Sequence, residues 1–461
     1  MTKSSNRAPL LASAFVLFAV NVLNFYDRHV AGALTEPIRK EFHLTDTQVG
    51  LLNSAFIWVY ALVGLPLGWL ADRVSRKRVL AAAVMVWASL TASAAFAGSF
   101  AMLLVSRIGV GVGEAGCAPS ATSWLGDLFP AQRRSRALAV FMLGVPVGGA
   151  LSFFFSGALA QRYGWRTAMV VAAAPAALLI PALLSLREPE RGAAESHREE
   201  APLGSAWELL RMPTLWWIIA SGALLNFCLY AIGTFLPALL SRVHKVSLAT
   251  SGTDTGIAYL AGGLLGAMLA GYAGDAIRGR RVDGRLRIAA LTSLLAAPLS
   301  GIGVLQTAGS LGMAITCMAL AYALLCSYYG LVYSSIQDIV APRQRATAMA
   351  IYFLGMYACG ASFGPLLTGR LSDVLARRAA SLGGSAVVGE AYRAIGLQQA
   401  MLVIPVLSLA LAAVLFGASR AMLRDEWQAK RLEHCEKFDS QGQNSAEICS
   451  RDAKGANPAV P

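Results

Sequence analysis

The sequence predicts an all-α membrane protein with twelve transmembrane helices arranged as two pseudo-symmetric six-helix bundles. Three observations carry this. First, only 14% of the 461 residues are charged and 56% are hydrophobic, with a mean hydropathy of +0.55. Soluble domains carry roughly 25% charged residues, and this mixture cannot face water without large exposed apolar patches. Second, twelve apolar runs long enough to cross a bilayer follow one another along the chain. Third, the later six runs repeat short signatures of the earlier six in the same order.

A span needs about 20 mostly apolar residues. Candidates lie at 10–35, 49–71, 79–98, 100–125, 137–160 and 167–186, then at 214–240, 255–275, 288–306, 310–336, 347–370 and 397–419. The run from Leu10 is too long for the apolar part of a cleavable signal and contains charges, so it reads as the first span. The composition changes abruptly between the sixth and seventh runs. Arg187-Glu188-Pro189-Glu190-Arg191 through Arg198-Glu199-Glu200 is a charged, proline-containing connection. The expected organisation is therefore an N-terminal six-helix bundle over 1–186, a cytoplasmic linker over 187–212 and a C-terminal six-helix bundle over 213–420. A polar cytoplasmic tail over 421–461 lacks apolar periodicity and is expected to be mostly disordered.

Lysine and arginine set the orientation. One set of loops carries Arg73, Arg76, Lys77 and Arg78, then Arg133, Arg134 and Arg136, then Arg278, Arg280, Arg281, Arg285 and Arg287, then Arg343 and Arg345. The opposite loops near Gly98 and Thr307 carry no charge, although Arg377 and Arg378 run against the trend. The positive-inside rule places both termini in the cytoplasm. The net charge of +13 is thus spread over short loops. It forms no single stripe or tail, which argues against nucleic-acid binding.

The repeat is specific. Asp127-Leu128-Phe129 through Ala137-Leu138-Ala139-Val140-Phe141 matches Asp338-Ile339-Val340 through Ala348-Met349-Ala350-Ile351-Tyr352, and Gly144 and Gly149 match Gly355 and Gly360. Leu23-Asn24-Phe25 recurs as Leu225-Asn226-Phe227, and Gly68-Trp69-Leu70-Ala71-Asp72 as Gly271-Tyr272-Ala273-Gly274-Asp275. A duplicated six-span unit places its site between the two halves.

Enzyme-like patterns do not survive their context. Gly111-x-Gly113-x-x-Gly116 lies inside an apolar span, where the dinucleotide fingerprint needs a strand before it. Gly360-x-Ser362-x-Gly364 likewise lacks a strand–turn–helix corner. Glycines four apart, such as Gly109/Gly113 and Gly144/Gly148, instead let helices approach closely. There is no Gly-Lys-Ser or Gly-Lys-Thr loop for ATP. The seven cysteines, at 117, 228, 317, 326, 359, 435 and 449, show no metal spacing and no paired framework. No cofactor or metal is expected; a proton gradient is the expected energy source.

Charge inside the spans is the strongest functional signal, because ionisable groups there are costly and face interior pathways. Asp27 and Arg28 lie in the first span, Arg107 and Glu114 in the fourth. Arg107 and Glu114 are seven residues apart and share a helix face. Where the first half reads Tyr26-Asp27-Arg28 after its Leu-Asn-Phe, the second reads Cys228-Leu229-Tyr230. The helix is retained and the charges are not, which separates them from simple packing. A carboxylate beside an arginine can exchange an ion pair for a proton, so Asp27, Arg28, Glu114 and Arg107 are expected to couple substrate to protons. The competing reading is a buried ion network that fixes helix register.

The loop Gly68-Trp69-Leu70-Ala71-Asp72-Arg73-Val74-Ser75-Arg76-Lys77-Arg78 resembles the signature between the second and third spans of the major facilitator superfamily, with Ser75 where glycine is usual. The resemblance implies a cytoplasmic gate involving Gly68, Asp72, Arg73 and Arg76. Arg107-x-x-x-Gly111-x-Gly113 resembles the family's fourth-span motif. Gly144-Val145-Pro146-Val147-Gly148-Gly149 loosely resembles its antiporter motif in the fifth span. Asn24-Phe25-Tyr26-Asp27-Arg28 and Gly111-Val112-Gly113-Glu114-Ala115 resemble the Spinster branch. That implies proton-coupled, alternating-access transport of an amphipathic or anionic, lysolipid-like molecule. Asn24, Tyr26, Asn226, Tyr230, Tyr333 and Tyr357 are candidates for the cavity wall. A drug or organic-anion antiporter, and a membrane sensor built on a transporter scaffold, stay open. The chain lacks an Asn-x-Ser/Thr acceptor, and a monomer in a bacterial inner membrane is the expected setting.

Overall fold

The computed structural model describes residues 7–71, 73–190, 209–277, 281–340 and 344–440. They form a helical bundle. The first half holds Arg7–Ala33, Asp46–Ala71, Arg76–Ala94, a fourth span broken at Gly116 (Phe100–Ala115 and Cys117–Leu128), a fifth (Ala131–Met142 and Gly144–Tyr163) and a sixth (Trp165–Ala173 and Ala176–Ser185). The second half holds Pro213–Val243, Leu248–Ile277, Gly284–Leu305 and Leu311–Ile339. Its eleventh span comprises Arg345–Met356, a π-helical turn at Tyr357–Ala361 and Phe363–Leu382, and its twelfth Glu390–Met401 and Val403–Ser440.

Among the described residues, eleven helices are long and apolar enough to cross a membrane. The remaining one, Arg76–Ala94, opens on Arg76, Lys77 and Arg78, which dilute its apolar run. It begins three residues before the predicted 79–98 because Ser75 and Glu188 supply its start. The Glu188 carboxylate accepts the Arg76 backbone N–H at 2.9 Å and the Ser75 hydroxyl at 2.6 Å, which is the anion a helix N-terminus favours. The twelfth helix runs to Ser440, so residues 421–440 of the expected disordered tail are helical. Arg, Glu, Lys, Leu and Gln fill that stretch and are good helix formers even without an apolar stripe. Residues 441–461, and 191–208 of the linker, lie outside the described residues.

The duplication extends to loop detail. The fourth span, Phe100–Leu128, and the tenth, Leu311–Ile339, are both 29 residues long. His43 and Lys245 each adopt a left-handed backbone, with φ of +52° and +56°. Two residues later a hydroxyl caps the next span: Thr45 accepts the Gln48 N–H at 3.2 Å and Ser247 accepts the Thr250 N–H at 3.1 Å.

The halves meet along three helix pairs, first with seventh, second with eleventh and fifth with eighth. Glycine makes the approach possible. A Cβ on Gly32 would sit 2.5 Å from the Gly233 carbonyl oxygen, one on Gly369 2.1 Å from that of Asp46, and one on Gly252 2.5 Å from that of Phe153. These contacts cluster toward the side opposite the N terminus, here the far side. Toward the terminus side the seam ends at the ring contact of Tyr60 with Tyr357 and at Pro146 against Gly263. Beyond it Trp69 is 56% exposed and Tyr272 78%. Among the described residues, the ion pairs between the halves also lie on the far side.

Candidate functional site

The first and fourth spans bring their charges together at the seam between the halves. Arg28 Nε and Nη2 donate to Glu114 Oε2 at 3.2 and 3.1 Å, with both side chains buried. Arg28 Nη2 also reaches Asn24 Oδ1 at 3.5 Å, one helical turn back. Its guanidinium carbon lies 4.4 Å from the Tyr60 ring centroid and 4.7 Å from that of Phe25. Aromatic faces favour a cation most when water is excluded. The remaining Arg28 nitrogen, Nη1, donates to the Tyr230 hydroxyl at 3.4 Å, across the seam. Arg28 thus joins an acid of its own half to a phenol of the other.

Asp27 points away from this pair and accepts the Thr91 hydroxyl at 2.8 Å. Arg107 lies with its guanidinium 5.1 Å from the Phe56 ring. Asp27 Oδ2, Glu114 Oε1 and the Nε and Nη2 of Arg107 have no hydrogen-bond partner among the described residues, although all are buried. Buried polar groups are rarely left so. The cluster therefore retains capacity to bind protons or a ligand. Arg107 and Glu114 share a face as the spacing predicts, but Glu114 is bonded to Arg28 and not to Arg107.

The expected wall residues divide. Tyr357, in the π-helical turn, meets the rings of Tyr60 and Tyr230 edge-on at 5.4 and 6.4 Å. Such turns recur at functional positions in helices. Tyr333 packs against Tyr329, Tyr352 and Phe353 within the second half. Tyr26 is taken up inside the first half, sharing a 3.0 Å hydrogen bond with Ser156. Asn226 is taken up inside the second, donating to the Gly222 carbonyl and accepting the Tyr329 hydroxyl at 3.0 Å.

Asp72 lies outside the described residues. Gly68 faces Pro119 of its own half, and Arg73 stacks on Trp69 at 3.8 Å. Arg76 is buried and clamps its own half together. It pairs with Asp127, bonds Glu188 Oε1 at 3.0 Å and donates to the Pro189 carbonyl at 2.9 Å. Partial burial opposes ionisation of Glu188, but hydrogen bonds from Ser75 and Arg76 outweigh it and hold the carboxyl below its usual range. The second half repeats the clamp as Arg285 with Asp338.

The sequence reading missed the far-side latch. Arg242, in the last turn of the seventh span, holds Asp46 bidentately at 2.8 Å for both bonds and Glu36 at 2.7 Å. Arg39 holds Glu390 at 2.7 Å. Asp373 accepts the backbone N–H groups of Asp46 and Thr47 at 3.0 and 2.8 Å, and Ser372 donates to Asp46 at 2.7 Å. Every one of these contacts crosses between the halves. The available signal was mixed charge over residues 36–41, set against Arg242 and Lys245 with no acidic residue beside them at the matching end of the other half.

Comparison with known proteins agrees with this architecture. The family model described as Major Facilitator Superfamily matches residues 16–365. An MFS-type efflux pump of Mycolicibacterium smegmatis is 34% identical over 366 residues, covering 79% of this chain and 85% of the relative. The sphingosine-1-phosphate transporter SPNS2 of Xenopus tropicalis is 25% identical over 441 residues, covering 92% and 84%. Among solved structures, a bacterial homolog of the human lysosomal transporter Spinster, inward-facing and unoccupied, superposes with a TM-score of 0.81 at 28% identity, covering 91% of this chain and 98% of its own.

Proposed function

Because the chain belongs to the Major Facilitator Superfamily and has Spinster-like relatives, we propose that it moves an amphipathic or anionic, lysolipid-like molecule across the membrane by alternating access, coupled to protons. The observation that carries this reading is the buried Arg28–Glu114 pair bonded to Tyr230 at the seam. Arg28 offers a planar guanidinium suited to phosphate or carboxylate. An anion that takes Arg28 releases Glu114, which then accepts a proton; loss of the substrate lets the pair re-form and the proton leave. Asp27 and Arg107 flank this exchange. Tyr60, Tyr230 and Tyr357, whose rings meet at the seam, supply aromatic surface for the apolar body.

Basic loops assign the terminus side to the cytoplasm, and the contacts between the halves crowd the far side, which supports an inward-open arrangement. Gly68, Asp72 and Arg73 then belong to the gate that closes when the far-side latch of Arg242, Arg39 and Asp373 releases. The protein acts as a monomer in a bacterial inner membrane.

The test is proton movement in liposomes holding purified protein and a trapped pH-sensitive dye. They are challenged with lysophospholipid, sphingoid phosphate, a cationic drug and a sugar, with protein-free liposomes as the leakage control. A flux driven by the lipids and abolished by Glu114→Gln is expected. Lipid crossing without proton movement removes the coupling; flux driven by the drug alone favours an efflux pump like the mycobacterial relative.

A further inference from the structure

Two carboxylates of the first half meet at one guanidinium of the second. Arg242 donates to Glu36 at 2.7 Å and to both oxygens of Asp46 at 2.8 Å, and all three side chains are buried. The short helix Thr35–Glu41 supplies the other cation, Arg39, which bonds both Glu36 oxygens at 3.3 and 3.1 Å and reaches Glu390 across the seam. Neighbouring charges are engaged elsewhere. Asp373 accepts backbone N–H groups of Asp46 and Thr47, Glu41 pairs with Trp165 and Arg166, and His244 faces the Ala308 carbonyl and Asp254. Arg393 stands beside Glu390, while Lys40, His43 and Lys245 are exposed. The repeat builds the same corner without this acid pair. At the offset that matches Thr45 with Ser247, Glu36 falls on Ala238 and Asp46 on Leu248.

Alternating access must part this face, and the charges then divide unevenly. Arg242 and the Ser372 hydroxyl, which also donates to Asp46, leave with the second half. Glu36, Asp46 and Arg39 stay with the first, two negative charges against one positive. Hydrogen bonds to a carboxylate favour its charged form, and a like charge close by disfavours it. We propose that Glu36 and Asp46 form a proton-binding site that fills when the far side opens, the proton taking the place of Arg242. It comes from the far-side solution onto a carboxylate oxygen and returns there when Arg242 closes again. Acid on that side therefore favours opening, and the bias fades as pH rises. This inference rests on the alternating-access reading above and adds a second proton site, apart from Glu114 and tied to the conformational step.

The test measures far-side opening of the full-length protein in nanodiscs. Spin labels on non-natural residues replace His43 and Lys245, exposed positions in the two matching far-side turns, and Glu114→Gln is the background that silences the central carboxylate. From about pH 7.5 to about pH 4.5 the ratio of open to closed far side should rise by at least about five-fold. Asp46→Asn and Glu36→Gln each leave one carboxylate for one arginine. Each should cut that rise to about two-fold or less, and either carries the test if the other does not fold. Glu390→Gln, which weakens the latch without touching the pair, should keep the full rise. A full rise in both Asp46→Asn and Glu36→Gln, or a rise lost equally in Glu390→Gln, overturns the site. A far side that opens to the same extent at every pH also overturns it and leaves alternating access standing. If the far side opens at no pH, with or without lysophospholipid, alternating access falls and takes the site with it.

Discussion

The two halves share a fold and divide the chemistry. At the offset that pairs Asp127 with Asp338, and the fourth span with the tenth, Glu114 falls on Leu325 and Arg107 on Met318. Asp27 and Arg28 fall on Leu229 and Tyr230. All four replacements in the second half are apolar or aromatic, and Leu325 and Met318 are buried. Burial has therefore been kept at these positions while charge has not. What remains in the second half is a run of tyrosines, Tyr328, Tyr329, Tyr333, Tyr352 and Tyr357, whose rings contact one another or their neighbours. Arg28 and Tyr230, counterparts in the repeat, are hydrogen-bonded to each other. The seam thus sets a cation from one copy against a phenol from the other, and the charges of this cluster come from the first half.

Three sets of substitutions sharpen or break that contrast. The largest effect is expected from Arg28→Ala, which leaves Glu114 buried without its counter-charge and should cost about 3 kcal/mol, read as thermal unfolding in detergent. Adding Glu114→Gln to that variant should restore part of the loss. If Tyr230→Ala destabilises as much as Arg28→Ala, the asymmetry between the halves is not energetic. A middle effect separates the two terminus-side clamps. Asp127→Asn withdraws charge from Arg76, which is 1% exposed, and should cost about 1–3 kcal/mol. Asp338→Asn acts on a carboxylate 52% exposed and should cost less than about 1 kcal/mol. Equal melting temperatures for the two variants would contradict this ranking. The smallest effect is expected from Tyr230→Phe. Removing one long hydrogen bond should change stability by less than about 1 kcal/mol and substrate-driven proton flux by less than about five-fold. A flux as low as that of Glu114→Gln would make the phenol part of the ionic step.

Much of this was legible before the structure. Spans separate cleanly because their apolar runs are interrupted by basic loops, and Asp27, Arg28 and Glu114 stand out because lipid tolerates charge so poorly. Pairing was less legible. Seven-residue spacing puts Arg107 on the face of Glu114, but only the packing of the first span against the fourth decides that Arg28 takes the carboxylate. Tyr26 and Asn226 resemble wall residues in the sequence, yet Ser156 and Tyr329 claim them within their own halves. The latch was hidden for a different reason. Glu36, Asp46, Arg242 and Glu390 sit at span ends, where charges ordinarily face water or lipid head groups, and no local pattern reveals that partners 196 to 351 residues away meet them. The π-helical turn at Tyr357–Ala361, where Gly360 packs on the Ala223 carbonyl, likewise has no local signal in the sequence.

The glycine contacts along the seam have a steric consequence. Where Gly32, Gly252 and Gly369 bring backbone against backbone, any added Cβ would hold the halves apart, and the rings of Phe153 and Tyr259, 4.9 Å apart across the same seam, fill the space beside them. Closeness on this face is thus set by main chain and aromatic rings together, and the ion pairs of Arg242 and Arg39 cross the same face.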